Sequence, residues 1–254
     1  MSGNKESSAF EDHFSGQSQV YAQYRPKYPE EIYAYLASIV PGHSLAWDCG
    51  TGNGQAALGL AEHFARVVAT DRSSEQLRHA TPHPRIEYRE EPAELSGLAD
   101  HSADLVTAAA AVHWLDLPAF GAEVRRVARP GAALAVWTYH PARVSAPLQE
   151  VLRRFYWDLL KPWFAPQTDL VDAGYATLEL PGEPIAAPAF DVVVEWDLAE
   201  LREFLASFSG VQAYLRERGE DPLELVAGEL EAVWGEPRTR RVLRWPLSLR
   251  VQRL

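Results

Sequence analysis

The apolar positions of this chain change from helical to strand spacing and back several times. Pro29 would occupy the first turn of a helix whose apolar stripe contains Ile32, Leu36 and Ile39. From residue 43 onward, short apolar runs alternate with stretches of helical spacing. The predicted strands are 44–49, 66–70, 85–89, 103–109 and 132–139, and the predicted helices are 55–64, the stretch after Ser73, and 117–128. This order predicts right-handed crossovers and a parallel sheet covered on both faces.

Residues 141–189 interrupt the alternation. This segment contains seven prolines and a bulky apolar patch that includes Phe155, Trp157, Trp163 and Phe164. A patch of this size must pack against something, so the segment is predicted to be an excursion from the sheet rather than a linker. Further along, 190–196 has strand character and 198–234 is predicted to form two or three short helices. The stretch 241–253 is either a final strand or a hairpin split by proline.

Composition and charge narrow the classes of protein. The net charge of −11, from 24 basic and 35 acidic residues, opposes binding to nucleic acid or to anionic membrane surfaces. A single cysteine, Cys49, excludes an internal disulfide and a thiolate zinc cluster, which fits a reducing cytoplasm. The histidines lack the helical spacing of metal ligands, so no metal is expected. Met1–Ala9 is polar, and we expect neither an export signal nor a membrane span.

The most informative segment is a turn with three glycines, Gly50, Gly52 and Gly54, between a strand and a helix. Residues without a Cβ let the backbone bend sharply and approach a ligand, while the following helix offers free N–H groups. A nicotinamide dinucleotide fingerprint requires glycine at the sixth position, which is Gln55 here. An oxidoreductase of that type is therefore disfavoured.

Asp71 ends the second predicted strand, 21 residues after Gly50. A carboxylate at this place can accept both hydroxyls of a ribose, with the 5′ substituent over the glycine turn. Taken alone, Asp71 could equally be a helix cap or a surface carboxylate, and the turn could be structural. Because the two lie in register on successive strands, together they favour a site for an adenosyl group.

An ordered set of motifs extends this pattern, and with it the chain resembles the class I S-adenosylmethionine-dependent methyltransferases. More narrowly it resembles the small-molecule branch that includes trans-aconitate methyltransferase-like proteins. The residues that carry the resemblance are Tyr24-Arg25-Pro26, Asp48 to Gly54, Asp71, Ala93-Glu94, Gly97-Leu98, Ser102, Asp104-Leu105, His113-Trp114, Arg126-Val127 and Pro130-Gly131.

The resemblance implies an α/β fold with a Rossmann-like, doubly wound sheet, mostly parallel with an antiparallel C-terminal strand. It also implies an inserted helical cap. The predicted organisation is an N-terminal tail and cofactor-covering segment (1–42), a cofactor-binding core (43–140), a cap over the substrate pocket (141–189) and C-terminal strands and helices that complete the sheet (190–254).

The resemblance also implies S-adenosylmethionine as the cofactor and assigns residues to its parts. Tyr21 and Arg25 would close over the methionine tail, and Arg25 can meet its carboxylate as a fork. The remaining contacts to the methionine portion would come from Asp48, Gly50, Thr51 and Gly54.

Other positions are assigned to the nucleoside. Asp71 would bind the ribose, Arg72 would flank the adenine, and Ala93 and Glu94 would lie beside the adenine edge. Ala109 and Ala110 would supply backbone contacts at the end of the fourth strand. Relatives often have a glutamine where this chain has Ala110. That departure removes a polar contact near the substrate.

His113 follows the fourth strand, at the carboxyl edge where open α/β sheets bind ligands. It is predicted either to take a proton from, or orient, an acceptor oxygen, or only to cap the strand end. Trp114, Tyr139 and Trp163 are candidate substrate-binding walls, with core packing or surface cover as the alternative for each.

The sequence thus predicts a methyltransferase that modifies an oxygen or nitrogen of a small-molecule acceptor, with a carboxylate among the candidates. The alternative is a binding module or partner subunit that holds the cofactor without transferring its methyl group. The expected partner is the acceptor alone, without nucleic acid or membrane, and both a monomer and a homodimer stay open.

Overall fold

The computed structural model describes residues 25–254. In the first part of the chain, helices and strands lie close to their predicted positions. They are α1 (Glu30–Ser38), β1 (Leu45–Cys49), α2 (Gln55–Ala61), β2 (Arg66–Asp71), α3 (Ser74–Arg78), β3 (Ile86–Glu90), β4 (Ala103–Ala109), a short 3₁₀ turn (Val112–Trp114), α4 (Leu117–Val127) and β5 (Ala128–Tyr139).

Residues 141–189 form the helical excursion, and three helices follow the next strand. The elements are α5 (Ala146–Arg153), a π-helical segment (Arg154–Leu160), a 3₁₀ turn (Lys161–Trp163), α6 (Thr168–Asp172), β6 (Glu183–Ile185), β7 (Asp191–Trp196), α7 (Leu198–Ala206), α8 (Ser209–Arg218), α9 (Ala227–Trp234) and β8 (Arg241–Arg253). The excursion therefore also supplies a short strand, β6.

The strands form one sheet in the order β3-β2-β1-β4-β5-β8-β6, with β7 paired to the other end of β8. Strands β1 to β5 are parallel, and β8 is antiparallel to β5, β6 and β7. The predicted fold class is confirmed. The order reverses between β1 and β4, and the carboxyl ends of the strands at such a switch point are where α/β sheets bind ligands.

Both faces of the sheet are covered, as the apolar runs predict. One buried cluster contains Ile32 and Leu36 of α1, Leu60 of α2 and residues of the cap. The other packs Phe120 and Val124 of α4 against the opposite face. All five residues of β1 are buried, so the side chains on both faces of this strand are either apolar or hydrogen-bonded within the protein.

One boundary differs from the prediction. β5 begins at Ala128, before the Pro130-Gly131 pair, because Ala128 pairs with Ala103 ahead of a register shift. Of the two predicted forms of 241–253 the structure has the single strand, because β8 is continuous with Pro246 inside it. The strand pairs with β7 up to Pro246 and with β5 from Leu247, so the proline lies where the partner changes.

A buried carboxylate ties the amino ends of the central strands together. Asp104 is 2% exposed and accepts hydrogen bonds from the backbone N–H groups of Ser44 (2.7 Å) and Leu45 (3.0 Å). It also accepts one from Nη1 of Arg129 at 2.7 Å. Asp104 belongs to β4, whereas its donors lie at the starts of β1 and β5. The carboxylate therefore fixes these three strands relative to each other.

We expect Asp104→Asn to lower the free energy of unfolding by about 2 to 4 kcal/mol, because Arg129 and a buried N–H lose their charged acceptor. Urea denaturation measures the change. The control is Asp158→Asn, which removes an exposed partner of Arg153 and should leave the midpoint unchanged. Equal midpoints for the two variants would contradict the structural role of Asp104.

Candidate active site

The glycine turn follows β1 at the carboxyl edge of the sheet. Gly50 has φ +60° and Gly54, which precedes α2, has φ +86°. A Cβ on Gly50 would lie 2.6 Å from the Cβ of Ala111, so no larger residue fits. The backbone of Thr51 donates to the carbonyl of Thr70 at 3.0 Å, which anchors the turn to β2. The turn is therefore held open over the ends of β1 and β2.

Asp48 supports this turn from below. Its carboxylate is fully buried and accepts hydrogen bonds from the hydroxyls of Thr51 and Thr107, each at 2.6 Å. Burial raises the pKa of Asp48 to about 6, although the two hydroxyl donors oppose the rise and Asp71 adds to it. Asp48 therefore positions the turn. It does not belong to the wall of the ligand cleft that the turn forms with the end of β2.

Asp71 lies at the end of β2 and in the wall of a cleft of about 150 Å³, the small cleft. Its two carboxylate oxygens each accept a backbone N–H at 2.8 Å, one from Gly52 and one from Ser73. An ionised carboxylate has about four acceptor positions, which is more than these two backbone donors use. The two backbone bonds fix the direction in which the carboxylate points.

The small cleft extends from the glycine turn to the ends of β2 and β4. Glu94 lies outside the wall and holds it, because it accepts from Arg72 Nη2 at 2.8 Å and from the backbone of Asp116 at 2.9 Å. Gly54 also lies outside the wall. A Cβ at this position would be 2.3 Å from the Tyr88 hydroxyl, so the neighbouring tyrosine leaves no room for a larger residue. The wall residues that the sequence predicted are Arg25, Gly50, Thr51, Asp71, Arg72, Ala93, Ala109 and Ala110.

Gln76 marks this cleft as a ligand site. The side chain lies in the wall and is 5% exposed, and its Oε1 is buried without a hydrogen-bond partner among the described residues. An unsatisfied buried acceptor costs about 1 to 3 kcal/mol, which a bound donor would remove. The hydroxyls and amino groups of an adenosyl amino acid are such donors. The cleft therefore fits a ligand of this chemistry.

His113 lies in the 3₁₀ turn after β4 and is 8% exposed. Burial, with a smaller contribution from the nearby charge of Arg25, lowers the pKa of His113 to about 4. The ring is therefore neutral at physiological pH. Nδ1 is hydrogen-bonded to the hydroxyl of Tyr175, with the two atoms 2.8 Å apart, so the buried phenol orients the imidazole.

A second cleft of about 620 Å³, the large cleft, lies between His113 and the excursion 141–189. Its walls come from the 3₁₀ turn after β4, the end of β5, the excursion and α7. Of the residues that the structure describes, four line both clefts: Arg25, Ala110, Trp114 and Tyr139. Ala110 has φ +50°, a strained conformation for alanine that places its backbone at the junction.

Comparison with known proteins identifies the family. Residues 47–136 match the model of a methyltransferase domain. A solved structure of a protein named as a type II methyltransferase from Anaeromyxobacter dehalogenans is 41% identical, with a TM-score of 0.85, over 90% of this chain and 97% of that chain. This chain belongs to the class I S-adenosylmethionine-dependent methyltransferases. S-adenosylmethionine is therefore its cofactor.

Two further relatives carry related names. A protein of Dictyostelium discoideum named as a methyltransferase is 29% identical over 84% of this chain and 83% of its own length. A malonyl-[acyl-carrier protein] O-methyltransferase of Dechloromonas aromatica is 40% identical over 42% of this chain and 40% of its own length. The family prediction is confirmed, while the narrower resemblance to trans-aconitate methyltransferases stays a prediction.

Not every residue that the sequence predicts for the site lies in the wall of a cleft. Trp163 lies outside both, with its ring 5.1 Å from that of Tyr214 and beneath the guanidinium of Arg218. The next residue, Phe164, lines the large cleft instead, because the 3₁₀ turn ends at Trp163 and the chain becomes extended. Tyr21 lies outside the described residues.

Sequence reasoning missed two residues of the site, Gln76 and Tyr175. The sequence predicts that Gln76 is part of a capping box. Its backbone has this role, because the Gln76 N–H donates to the Ser73 hydroxyl at 3.3 Å. The side chain, however, faces the small cleft. Tyr175 belongs to a segment without periodicity, so no local signal linked it to His113.

Within residues 25–254, no group of three acidic, histidine or cysteine side chains could hold a metal ion. Among the same residues, no helix is long and apolar enough to cross a membrane.

We expect Asp71→Ala to weaken S-adenosylmethionine binding by about ten- to a hundredfold, because a charged acceptor is lost. Isothermal titration calorimetry measures the dissociation constant. Glu90→Ala is the matched control, since Glu90 pairs in register with Asp71 but is exposed and outside the cleft. A loss of the same size in both variants would contradict the role of Asp71.

We expect the stability of the protein to report the low pKa of His113. In the unfolded chain this histidine binds a proton below its ordinary pKa of 6.5, whereas in the folded protein it does so only below about 4. Lowering the pH from 7 to 4 should therefore destabilise the wild type by about 3 kcal/mol relative to His113→Gln.

Urea denaturation of both proteins at several pH values measures this difference. The titration of Asp48, whose raised pKa has the opposite effect, is common to both proteins and cancels. A difference in unfolding free energy that stays constant from pH 7 to pH 4 would contradict the burial of a neutral His113.

Proposed function

We propose that this methyltransferase moves the methyl group of S-adenosylmethionine to an oxygen or nitrogen of a small-molecule acceptor bound in the large cleft. The observation that carries the proposal is the shared wall of the two clefts, formed by Arg25, Ala110, Trp114 and Tyr139. A ligand in the small cleft and a molecule in the large cleft would meet at this junction. Alignment of two reactants in this way contributes about 7 to 11 kcal/mol to catalysis.

We assign the cofactor to the small cleft. Asp71 accepts the ribose hydroxyls, Gln76 accepts a further donor, and Arg72 and Ala93 flank the adenine. The glycine turn and Arg25 hold the methionine portion. Asp48, Gly54 and Glu94 act indirectly, because they support the turn and Arg72 from outside the wall. Tyr21 keeps its predicted place over the methionine tail as part of this proposal.

When bound, S-adenosylmethionine supplies a methyl group from its sulfonium sulfur and leaves as S-adenosylhomocysteine, while an acceptor hydroxyl or amine also loses a proton. His113 suits this chemistry because its ring is neutral and places no positive charge beside the reacting methyl group. The imidazole orients the acceptor or takes its proton as charge develops. Trp114 and Tyr139 exclude water from the junction.

Oxygen is the receiving atom that one relative supports, since it is named as an O-methyltransferase. The alternative function, a cofactor-binding subunit without transfer, would leave the large cleft without a substrate. We place the protein in the cytoplasm, where the buried thiol of Cys49 stays reduced.

The proposal predicts that purified protein transfers labelled methyl groups to members of a panel of hydroxyl, carboxyl and amine compounds. We expect His113→Ala to lower turnover by about ten- to a hundredfold or more, as losses of proton-transfer groups do, while the cofactor dissociation constant changes little. Asp71→Ala should show the reverse pattern at low cofactor concentration. Tight cofactor binding without transfer to any compound would refute the proposed transfer and support the binding-subunit alternative.

A further inference from the structure

The large cleft has walls made mainly of aromatic rings. The ring centroids of Tyr156 and Phe164 are 4.9 Å apart, those of Phe204 and Phe208 5.2 Å, and those of Phe204 and Trp245 5.1 Å. All five rings line the cleft. Rings that hold each other at these distances form a preorganised apolar surface on which flat ligands can stack.

The position of this aromatic wall is fixed by close packing. A Cβ on Gly210 would lie 2.9 Å from the ring of Phe164, so the ring rests directly on the backbone of α8. The π-helical segment supplies Phe155, Tyr156 and Trp157 in succession, and Trp157 is 40% exposed. π-Helical turns are frequent at functional sites, where they re-aim side chains. The wall therefore keeps its shape without a ligand.

The volume of the large cleft sets the size of its occupant. About 620 Å³ falls within the range of roughly 300 to 1,000 Å³ in which proteins enclose drug-sized ligands. A three- or four-carbon acid would leave most of this apolar surface in contact with water. A molecule of several rings would cover it.

The charges of the wall disfavour an acceptor with several carboxylates. The charged side chains among the described wall residues are Arg25, Glu150, Arg153 and Asp172. Arg153 is already paired with Glu150 at 3.0 Å. Asp172 accepts from the Tyr156 hydroxyl at 2.7 Å and is paired with Lys161. The two arginines and two carboxylates of the wall balance, so the wall has no excess of positive charge for a polyanion, and neutral His113 adds none.

From these observations we infer that the methyl acceptor is a bulky, neutral molecule with a flat aromatic body, held between the aromatic wall and the junction of the two clefts. This inference rests on the proposed function for the transfer itself but names the chemical class of the acceptor independently. It separates this chain from enzymes for small polycarboxylates, which need several cations. The reacting group is then a hydroxyl or an amine on the ring body.

Two exposed alanines provide a matched pair of variants. Ala146 lies in the first turn of α5 and lines the large cleft, whereas Ala199 lies in the first turn of α7 and lines neither cleft. Ala146→Trp should narrow the large cleft without disturbing the core, and Ala199→Trp adds the same side chain elsewhere. Unchanged S-adenosylmethionine affinity in both variants would verify that they fold.

The experiment compares phenol, 1-naphthol and a three-ring hydroxyflavone with malonate, citrate and trans-aconitate. Binding is measured by calorimetry in the presence of S-adenosylhomocysteine, and transfer is measured with labelled S-adenosylmethionine. We expect affinity to rise with the number of rings, and Ala146→Trp to weaken hydroxyflavone binding by about tenfold or more, which corresponds to about 1.4 kcal/mol. Ala199→Trp should match the wild type.

The outcomes separate this inference from the proposed function. Tight, Ala146-sensitive binding of the ring compounds without any transfer would support the inference and refute the transfer. Transfer to malonate, citrate or trans-aconitate in preference to the ring compounds would overturn the inference and leave the methyltransferase activity intact. Weak binding of every ring compound, or equal effects of the two tryptophan variants, would also overturn it.

Discussion

A carboxylate without access to water, that of Asp48, joins three parts of this protein. It belongs to β1, accepts a hydroxyl from Thr107 of β4 and accepts another from Thr51 of the glycine turn. A buried charge is tolerated only where such donors satisfy it, so the two strands and the turn have one arrangement that suits all three. Because the glycine turn and the end of β4 form opposite sides of the small cleft, the geometry of the cofactor site depends on this contact.

In the proposed function the small cleft binds the cofactor, whereas the large cleft selects the methyl acceptor. The small cleft is built from turns that directly follow parallel strands, so its parts are fixed by the sheet and recur wherever that sheet does. The large cleft is built mainly from the excursion and the helices after β7, which have no counterpart in the strand–helix alternation. Its aromatic rings contact each other. The acceptor is therefore a property of the added segments.

His113 lines the large cleft beside the junction residue Trp114, and its orientation is set by a residue distant in the chain. Tyr175, 62 positions later, holds the imidazole from below, and burial keeps the ring neutral. The cap therefore does more than cover the acceptor. Through Tyr175 it also orients His113, which lines the large cleft and contacts the junction residue Trp114. This coupling links the shape of the cap to the reaction.

The sequence by itself determined the strand and helix order, the glycine turn, Asp71 and the family, because these depend on local periodicity and on spacing between residues close in the chain. It did not determine which neighbours in sequence face the clefts: of Trp163 and Phe164 only Phe164 lines one, Gln76 was taken for a cap residue, and Asp48, Gly54 and Glu94 lie outside the wall. The tertiary structure decided these points, since the direction of a side chain in a turn depends on what packs against it. It also decided that β8 passes through Pro246 unbroken, because the strand changes partner there and that position needs no N–H donor.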